Sequence, residues 1–171
     1  MKAIDSPISG ILPAFVGPNS MKPMSGKTTG KRILLVEDER FTREALHHLL
    51  ASDDHTVVEA NNGAEAFTLF RTGQFDLVIT DYEIPFVKGG ELAAQIKRMA
   101  PRQPILMVTA FPHPPGSDNP VDALINKPFA PAQFREVVAE LLSRPGESFL
   151  NTAAAKSYIA SAAFETEVIT A

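Results

Sequence analysis

The chain has 171 residues, no cysteine and a formal net charge of −4 at pH 7, with 44% hydrophobic and 21% charged residues. This composition is typical of a globular protein, and the length allows one domain with a sizeable core plus tails. The lack of cysteine excludes disulfides and thiolate metal sites, and the acidic balance offers no basic face for nucleic acid. No apolar run is long enough to span a membrane, so we expect a cytoplasmic protein without membrane contact.

The two ends of the chain differ from its middle. Residues 1–30 carry four prolines and four glycines without sustained periodicity, which predicts a flexible leader. The SGKTTGK stretch inside it lacks the first glycine of a phosphate-binding loop, because Met21 stands there. Residues 145–171 predict an acidic tail that is either helical or disordered. The folded domain is therefore expected over residues 31–144.

Within this domain, short apolar runs alternate with segments of helical periodicity. The runs predict five strands: RILLV (32–36), HTVVEA (55–60), FDLVIT (75–80), PILMVTA (104–110) and DALIN (122–126). The periodic segments predict four helices: RFTREALHHLLA (40–51), GAEAFTLFRTG (63–73), GELAAQIKRMA (90–100) and PAQFREVVAELLS (131–143). The periodicity places Phe41 and Met99 on inward faces. Apolar strands separated by helices predict an α/β fold whose parallel sheet is covered on both faces.

Polar residues stand where four of the predicted strands end. Asp38 follows the first strand, Asp81 follows the third, Thr109 ends the fourth and Lys127 follows the fifth. Because the carboxyl ends of parallel strands share one edge of a sheet, these side chains should converge. Carboxylates suit Mg²⁺, whereas an ammonium and a hydroxyl suit an anion. The set therefore predicts phosphoryl transfer with an aspartate nucleophile.

Four motifs occur in a characteristic order: ILLVEDE, DLVITDYEIPFVKGGEL, ILMVTA and INKPF. Together they resemble the receiver domain of bacterial two-component response regulators, and the resemblance covers residues 31–143. It implies a flavodoxin-like, doubly wound fold of five parallel strands in the order 2-1-3-4-5. It also implies a sensor histidine kinase or phosphotransfer protein as phosphoryl donor, an unknown downstream protein as target, and no nucleic acid binding by the domain itself.

The same resemblance implies roles for the acidic residues. Asp81 resembles the phosphoacceptor, which is also a ligand of Mg²⁺. Asp38 resembles a direct ligand of the metal, and Glu37 a ligand that acts through a water molecule. Glu83 resembles the residue that offers its backbone carbonyl to the metal.

Residues on the fourth and fifth strands receive the switching roles. Thr109 and Ala110 match the switch and phosphate-binding positions, and Lys127 matches the phosphate-binding lysine. The bond between Lys127 and Pro128 is expected to be cis, as in the family. Leu124 stands where many receivers carry a rotating aromatic ring, so the usual coupling of hydroxyl to ring cannot operate in its common form.

The segment between the fourth and fifth strands departs from the family pattern. It is shorter than usual and contains Pro112, Pro114, Pro115, Gly116 and Pro120. Because a proline in a helix interior costs about 3 kcal/mol, we expect no regular fourth helix here but an extended, partly polyproline-like loop. We hypothesise that phosphorylation orders or moves residues 111–121.

Other interpretations stay open at this stage. Glu39 could be an ordinary acid in the first turn of a helix, and Asp81 could be a turn cap. The leading hypothesis is a stand-alone receiver that catalyses only its own phosphorylation and dephosphorylation and is otherwise not an enzyme. A phosphohydrolase of the haloacid dehalogenase type would need a second aspartate two residues after Asp81, where Glu83 stands. A phosphorylation-independent scaffold is the third possibility.

Overall fold

A computed structural model describes residues 29–111 and 120–143. Its nine elements, in chain order, are β1 Arg32–Val36, α1 Arg40–Ser52, β2 Thr56–Ala60, α2 Gly63–Thr72, β3 Leu77–Asp81, α3 Gly89–Met99, β4 Ile105–Thr109, β5 Ala123–Asn126 and α4 Pro131–Ser143. All nine were predicted, and their ends differ from the predictions by no more than two residues. The predicted leader and tail fall almost entirely outside the described residues.

The five strands form one parallel sheet in the order β2-β1-β3-β4-β5. The predicted flavodoxin-like, doubly wound fold is confirmed. After β1 the chain forms β2 next to one edge of β1 and then crosses over to form β3 next to the other edge of β1, so the direction in which strands are added reverses. Ligands of open α/β sheets bind outside the carboxyl ends of the strands near this reversal.

Alternate side chains of each strand enter two separate cores. One core contains residues such as Leu35, Ile79 and Ile125 and is covered by α1 and α4, and the other contains residues such as Leu34 and Met107 and is covered by α2 and α3. This arrangement explains why the strands read as continuous apolar runs, because both faces of the sheet are buried.

Two predicted core residues are in fact exposed. The side chain of Phe41 is 77% exposed and that of Met99 is 55% exposed. Phe41 is the second residue of α1 and Met99 is the last residue of α3, so both lie at a helix end, where correct periodicity does not by itself bring burial. The inward positions in the middle of each helix, such as Leu46 and Ile96, are buried as predicted.

No helix lies between β4 and β5 in the part of this connection that the structure describes, which is residues 110–111 and 120–122. Helix α4 is the predicted last helix, which follows β5. Residues 112–119, on which the prediction of a polyproline-like loop rests, lie outside the described residues. The chain rejoins the sheet at Asp122, whose Oδ2 accepts hydrogen bonds from the Ile105 amide at 2.8 Å and from Lys97 Nζ at 2.7 Å.

Within residues 29–111 and 120–143, no helix combines the length and the apolar character that crossing a membrane would require.

The stability of the fold should depend on pH through His55, which lies away from the polar residues at the carboxyl ends of the strands. Burial lowers the pKa of its imidazole below 6.5, against the opposing effects of Asp53 and Asp54. The folded protein therefore binds this proton less readily than the unfolded chain, so the stability that His55 contributes is present above pH 6.5 and is lost as the pH falls through the folded pKa.

We expect the free energy of unfolding to decline between pH 7.5 and 5.5, and His55→Gln to flatten that slope. Urea titrations across this range test it, with the exposed His48→Gln as control; equal slopes in all three proteins would contradict the assignment.

Candidate phosphoacceptor site

Two carboxylates and one ammonium meet at the carboxyl edge of the sheet. Lys127 Nζ lies 2.8 Å from Glu37 Oε2 and 2.6 Å from Asp81 Oδ2. Glu37 is only 2% exposed, and the side chains of Asp81 and Lys127 are 13% and 22% exposed. Three chain segments that are far apart in sequence therefore share one partly buried ionic site.

The alternation of the strands explains why these groups converge. Leu35 and Ile79 point into the core under α1 and α4. Glu37, directly after β1, and Asp81, at the end of β3, each follow two residues later and point to the same side of the sheet. The Lys127 amide donates to the Thr109 carbonyl at 2.7 Å, and the Lys127–Pro128 peptide bond is cis, as the resemblance implied.

The charges in this site do not balance, because two carboxylates face one ammonium. The pKa of Lys127 is raised above 10.5, since its bonds to Asp81 and Glu37 outweigh the opposing effect of burial. The pKa of Glu37 is also raised, since burial and the nearby Asp81 outweigh the attraction of Lys127. The ammonium is thus held in its charged form, whereas Glu37 ionises less readily, as expected where two partly buried carboxylates share one ammonium.

The acidic loop between β1 and α1 consists of Glu37, Asp38 and Glu39, and its residues have different roles. Asp38 is exposed, and Glu39 is the N-cap of α1, where its carboxylate accepts hydrogen bonds from the amides of Phe41 and Thr42. These bonds lower the pKa of Glu39. Glu39 is therefore the N-cap of α1, one position before the first helical turn in which the alternative interpretation placed it.

The loop after β3 holds the Asp81 side chain and packs closely on its backbone. Asp81 Oδ1 accepts a hydrogen bond from the Glu83 amide at 3.2 Å. A Cβ atom added to Gly89 would lie 2.0 Å from the Asp81 carbonyl oxygen, so only glycine fits at the start of α3. Phe86 has a φ of 67° and is 87% exposed. A bulky residue in the left-handed region is rare, and such strain often occurs at functional sites.

The predicted switch residues lie beside this ionic site, on its β4 side. Thr109 is fully buried and its Oγ1 accepts a hydrogen bond from the Phe111 amide at 3.1 Å. Ala110 follows it at an exposed position. Leu124 is half-buried against the core under α2 and α3. In this structure the Thr109 hydroxyl is therefore hydrogen-bonded to its own loop.

The ligand atoms available at this site suit a hard cation. They are carboxylate oxygens, and the single ammonium of Lys127 between Glu37 and Asp81 does not neutralise both carboxylates. Mg²⁺ accepts one or two carboxylates and keeps several waters. In residues 29–111 and 120–143, however, no three histidine, aspartate or glutamate side chains are grouped so that they could hold a metal ion. The exposed Asp38 is thus not part of a preformed three-carboxylate cluster.

Comparison with known proteins identifies the family. The model of the response regulator receiver domain matches residues 33–139. Response regulator receiver protein CpdR of Brucella abortus is 35% identical over 115 residues, which cover 65% of this chain and 93% of CpdR. Transcriptional regulatory protein TcrA of Mycobacterium tuberculosis is 34% identical over 127 residues, which cover 71% of this chain and 49% of TcrA. The chain thus matches about half the length of such transcriptional regulators.

A solved structure agrees with these relatives. The crystal structure of response regulator protein TrrA from Thermotoga maritima, in complex with Mg²⁺ and BeF, is 34% identical with a TM-score of 0.62. The match covers 65% of this chain and 98% of that one. The fold and the matched region define a signalling receiver domain. The chain belongs to the response regulator family of two-component signalling proteins, whose receiver domains interact with histidine kinases or phosphotransfer proteins and are not generally classed as enzymes.

Sequence reasoning missed an arginine that contacts the acidic loop and the glutamate that holds this arginine. Arg43 of α1 donates to the carbonyl oxygens of Glu37 and Asp38, and Glu59 of β2 holds Arg43. The parallel register pairs Leu35 with Glu59, which places Glu59 near the end of β2 on the side of α1. An acid among the apolar residues of a strand, opposite a helix that carries an arginine, was the signal that could have revealed the pair.

Proposed function

We propose that this chain is a phosphorylation-controlled signalling protein whose Asp81 accepts a phosphoryl group from a histidine kinase or a phosphotransfer protein in an Mg²⁺-dependent step. Family membership supports the class of protein. The observation that carries the assignment is the contact of Lys127 Nζ with both Asp81 and Glu37 at the carboxyl edge of the sheet. Phosphorylation would then switch the binding of a downstream protein in the cytoplasm.

In the proposed step, a carboxylate oxygen of Asp81 forms a bond to the phosphorus of a phosphohistidine. The nitrogen–phosphorus bond breaks and its electron pair stays on the imidazole, so that an acyl phosphate replaces the carboxylate. Lys127 then exchanges part of its contact with the carboxylates for the incoming phosphoryl oxygens. The Thr109 hydroxyl at the end of β4 and the backbone amide of Ala110 after it are the proposed additional donors to the phosphoryl oxygens.

Mg²⁺ would supply positive charge for the phosphoryl oxygens in the transition state. Asp81 and Asp38 are the proposed carboxylate ligands, with the Glu83 carbonyl as a further ligand and Glu37 acting through a water molecule. The Glu83 amide orients Asp81 by holding Oδ1, which leaves Oδ2 on the side of Lys127.

Two exposed phenylalanines lie close in sequence to the acidic residues of the site. Phe41 is the second residue of α1, two residues after Glu39, and Phe86 lies five residues after Asp81. Aromatic side chains are enriched in protein interfaces relative to the rest of the surface. We propose that they contact the protein that donates the phosphoryl group.

The test is intact-protein mass spectrometry after incubation with acetyl phosphate and Mg²⁺. We expect a single phosphoryl adduct in the wild type, no adduct without Mg²⁺, and no adduct in Asp81→Asn. Asp54→Asn is the matched control, because Asp54 is exposed with a φ of 64°, a conformation that asparagine tolerates well. This control should be phosphorylated like the wild type.

Other results would favour the alternative functions. Continuous turnover of acetyl phosphate in excess over the protein would indicate a phosphohydrolase. An adduct that persists in Asp81→Asn would place the acceptor elsewhere. Absence of any adduct with acetyl phosphate and with candidate histidine kinases, in a folded protein, would favour the scaffold.

A further inference from the structure

The acidic loop after β1 is held from behind by an arginine. Arg43 Nη1 donates to the Glu37 carbonyl at 2.8 Å and to the Asp38 carbonyl at 3.3 Å. Its Nε donates to Glu59 Oε2 at 3.1 Å. The Arg43 side chain is only 17% exposed. One guanidinium therefore joins α1, β2 and the loop that carries Glu37 and Asp38.

These contacts fix the direction in which the loop presents its carboxylates. Adjacent carbonyl oxygens that accept from one nitrogen cannot rotate independently, so the peptide between Glu37 and Asp38 is locked. With the peptide held in this way, the Glu37 side chain points inward to Lys127 and Asp38 faces solvent. A guanidinium is suited to this task, because it holds several donors in a rigid plane.

Glu59 prevents the arginine from becoming a competitor of the cation. Arg43 carries a full positive charge next to three acids, and without a counter-ion its guanidinium would be drawn to the carboxylates of the loop. Glu59 binds Nε of Arg43 with one oxygen and Nδ1 of His47 with the other. Nη1 is thereby aimed at backbone carbonyls, and the side chains of Glu37 and Asp38 stay available.

We propose that Arg43, oriented by Glu59, is a positioning residue for the cation site, which holds the Glu37–Asp38 peptide so that the carboxylates face the cation. The inference rests on the proposed function, because it assumes that this edge of the sheet binds Mg²⁺. Residues that orient metal ligands typically contribute about 10–100-fold to metal affinity. Arg43 touches neither the metal nor the phosphoryl group, so its influence runs through the backbone.

The experiment compares Arg43→Gln, Arg43→Lys and the control Arg40→Gln on the full chain. Arg40 is an exposed arginine of the same helix that pairs with Glu44. Calorimetric titration with MgCl₂ gives the Kd of the folded protein, and amide hydrogen exchange in EDTA reports on residues 37–39 without metal. We expect Arg43→Gln to raise the Kd at least about tenfold and to accelerate exchange in the loop. Arg43→Lys should be intermediate, because an ammonium cannot reach the carbonyls and Glu59 in one plane, and Arg40→Gln should match the wild type.

Each outcome decides the proposal. A Kd for Arg43→Gln equal to that of the wild type would overturn it, even if the variant unfolds at lower urea, because a merely structural arginine would change stability alone. Faster hydrogen exchange with an unchanged Kd would also overturn the proposal and would show that Arg43 only connects α1 to β2. A wild type that binds no Mg²⁺ would overturn the cation site itself. If the wild type binds Mg²⁺ but forms no adduct on Asp81, the proposed function is contradicted whereas this inference about Arg43 is not.

Discussion

Lys127→Met is expected to lower the free energy of unfolding in EDTA at pH 7.5 by about 2 kcal/mol. Removing one partner of a buried ion pair typically costs about 3–5 kcal/mol. The cost should be smaller here, because Lys127 is partly exposed and the buried Glu37, whose pKa is already raised, will take up a proton when its ammonium is lost. Urea unfolding followed by circular dichroism measures the difference.

Mg²⁺ should restore more stability to this variant than it adds to the wild type. A ligand that binds only the folded state stabilises it in proportion to its affinity. In the wild type the ammonium occupies the space between Glu37 and Asp81, so a divalent ion must compete with it. In Lys127→Met that competitor is absent and Mg²⁺ can supply the positive charge that the site has lost, which favours binding.

Lys31→Met is the matched control for loss of a lysine. Lys31 pairs with Asp76 at 3.3 Å near the opposite edge of the sheet, and both side chains are more than a third exposed. Exposed pairs contribute about 0–1 kcal/mol, so this variant should stay close to the wild type and gain no additional response to Mg²⁺. Equal destabilisation in the two variants, or an equal response of Lys127→Met and wild type to Mg²⁺, would contradict the electrostatic account of the site.

The sequence predicted the strands well because burial on both faces leaves a strong local signal. Runs such as RILLV and ILMVT are apolar at every position except the first or last. The order of strands followed from the family resemblance, and the structure confirms it. Phe41 and Met99 were misjudged because periodicity states which way a residue points but not whether anything lies opposite it.

The side chains at the sheet edge were partly predictable. Asp81 and Lys127 could be placed there because each follows a predicted strand, but nothing in the sequence indicated that Lys127 would contact Glu37. Such a contact depends on distances between segments 90 residues apart. The roles of Arg43 and Glu59 were missed for the same reason, since a long polar side chain reveals little about the backbone atoms it reaches.

Gly89→Ala is expected to destabilise the protein by about 3 kcal/mol, although alanine is the better helix former by about 1 kcal/mol. The new Cβ would lie 2.0 Å from the Asp81 carbonyl oxygen and 3.0 Å from Tyr82 Cα. Overpacking typically costs about 1–3 kcal/mol, and the upper end applies here because both obstacles are backbone atoms that cannot change rotamer. The Asp81 carbonyl is also held by the Thr80 hydroxyl at 2.9 Å, so the end of β3 and the start of α3 must separate.

That separation should impair phosphorylation as well as stability. The acceptor carboxylate is carried by the residue that the new methyl group displaces, and a misplacement of about 1 Å can cost about 100-fold in rate. We expect phosphorylation of Gly89→Ala by acetyl phosphate to slow by at least about tenfold under conditions where the variant is fully folded. Gly73→Ala is the matched control, because its Cβ would meet the Phe75 ring at 3.0 Å and the Leu69 carbonyl at 3.2 Å, and Gly73 precedes β3 whereas Asp81 is the last residue of that strand. It should lose some stability but phosphorylate at the rate of the wild type. A Gly89→Ala protein as stable and as reactive as the wild type would show that α3 can move away from β3 without disturbing Asp81, and the acceptor would then be positioned by Lys127 and the Glu83 amide alone.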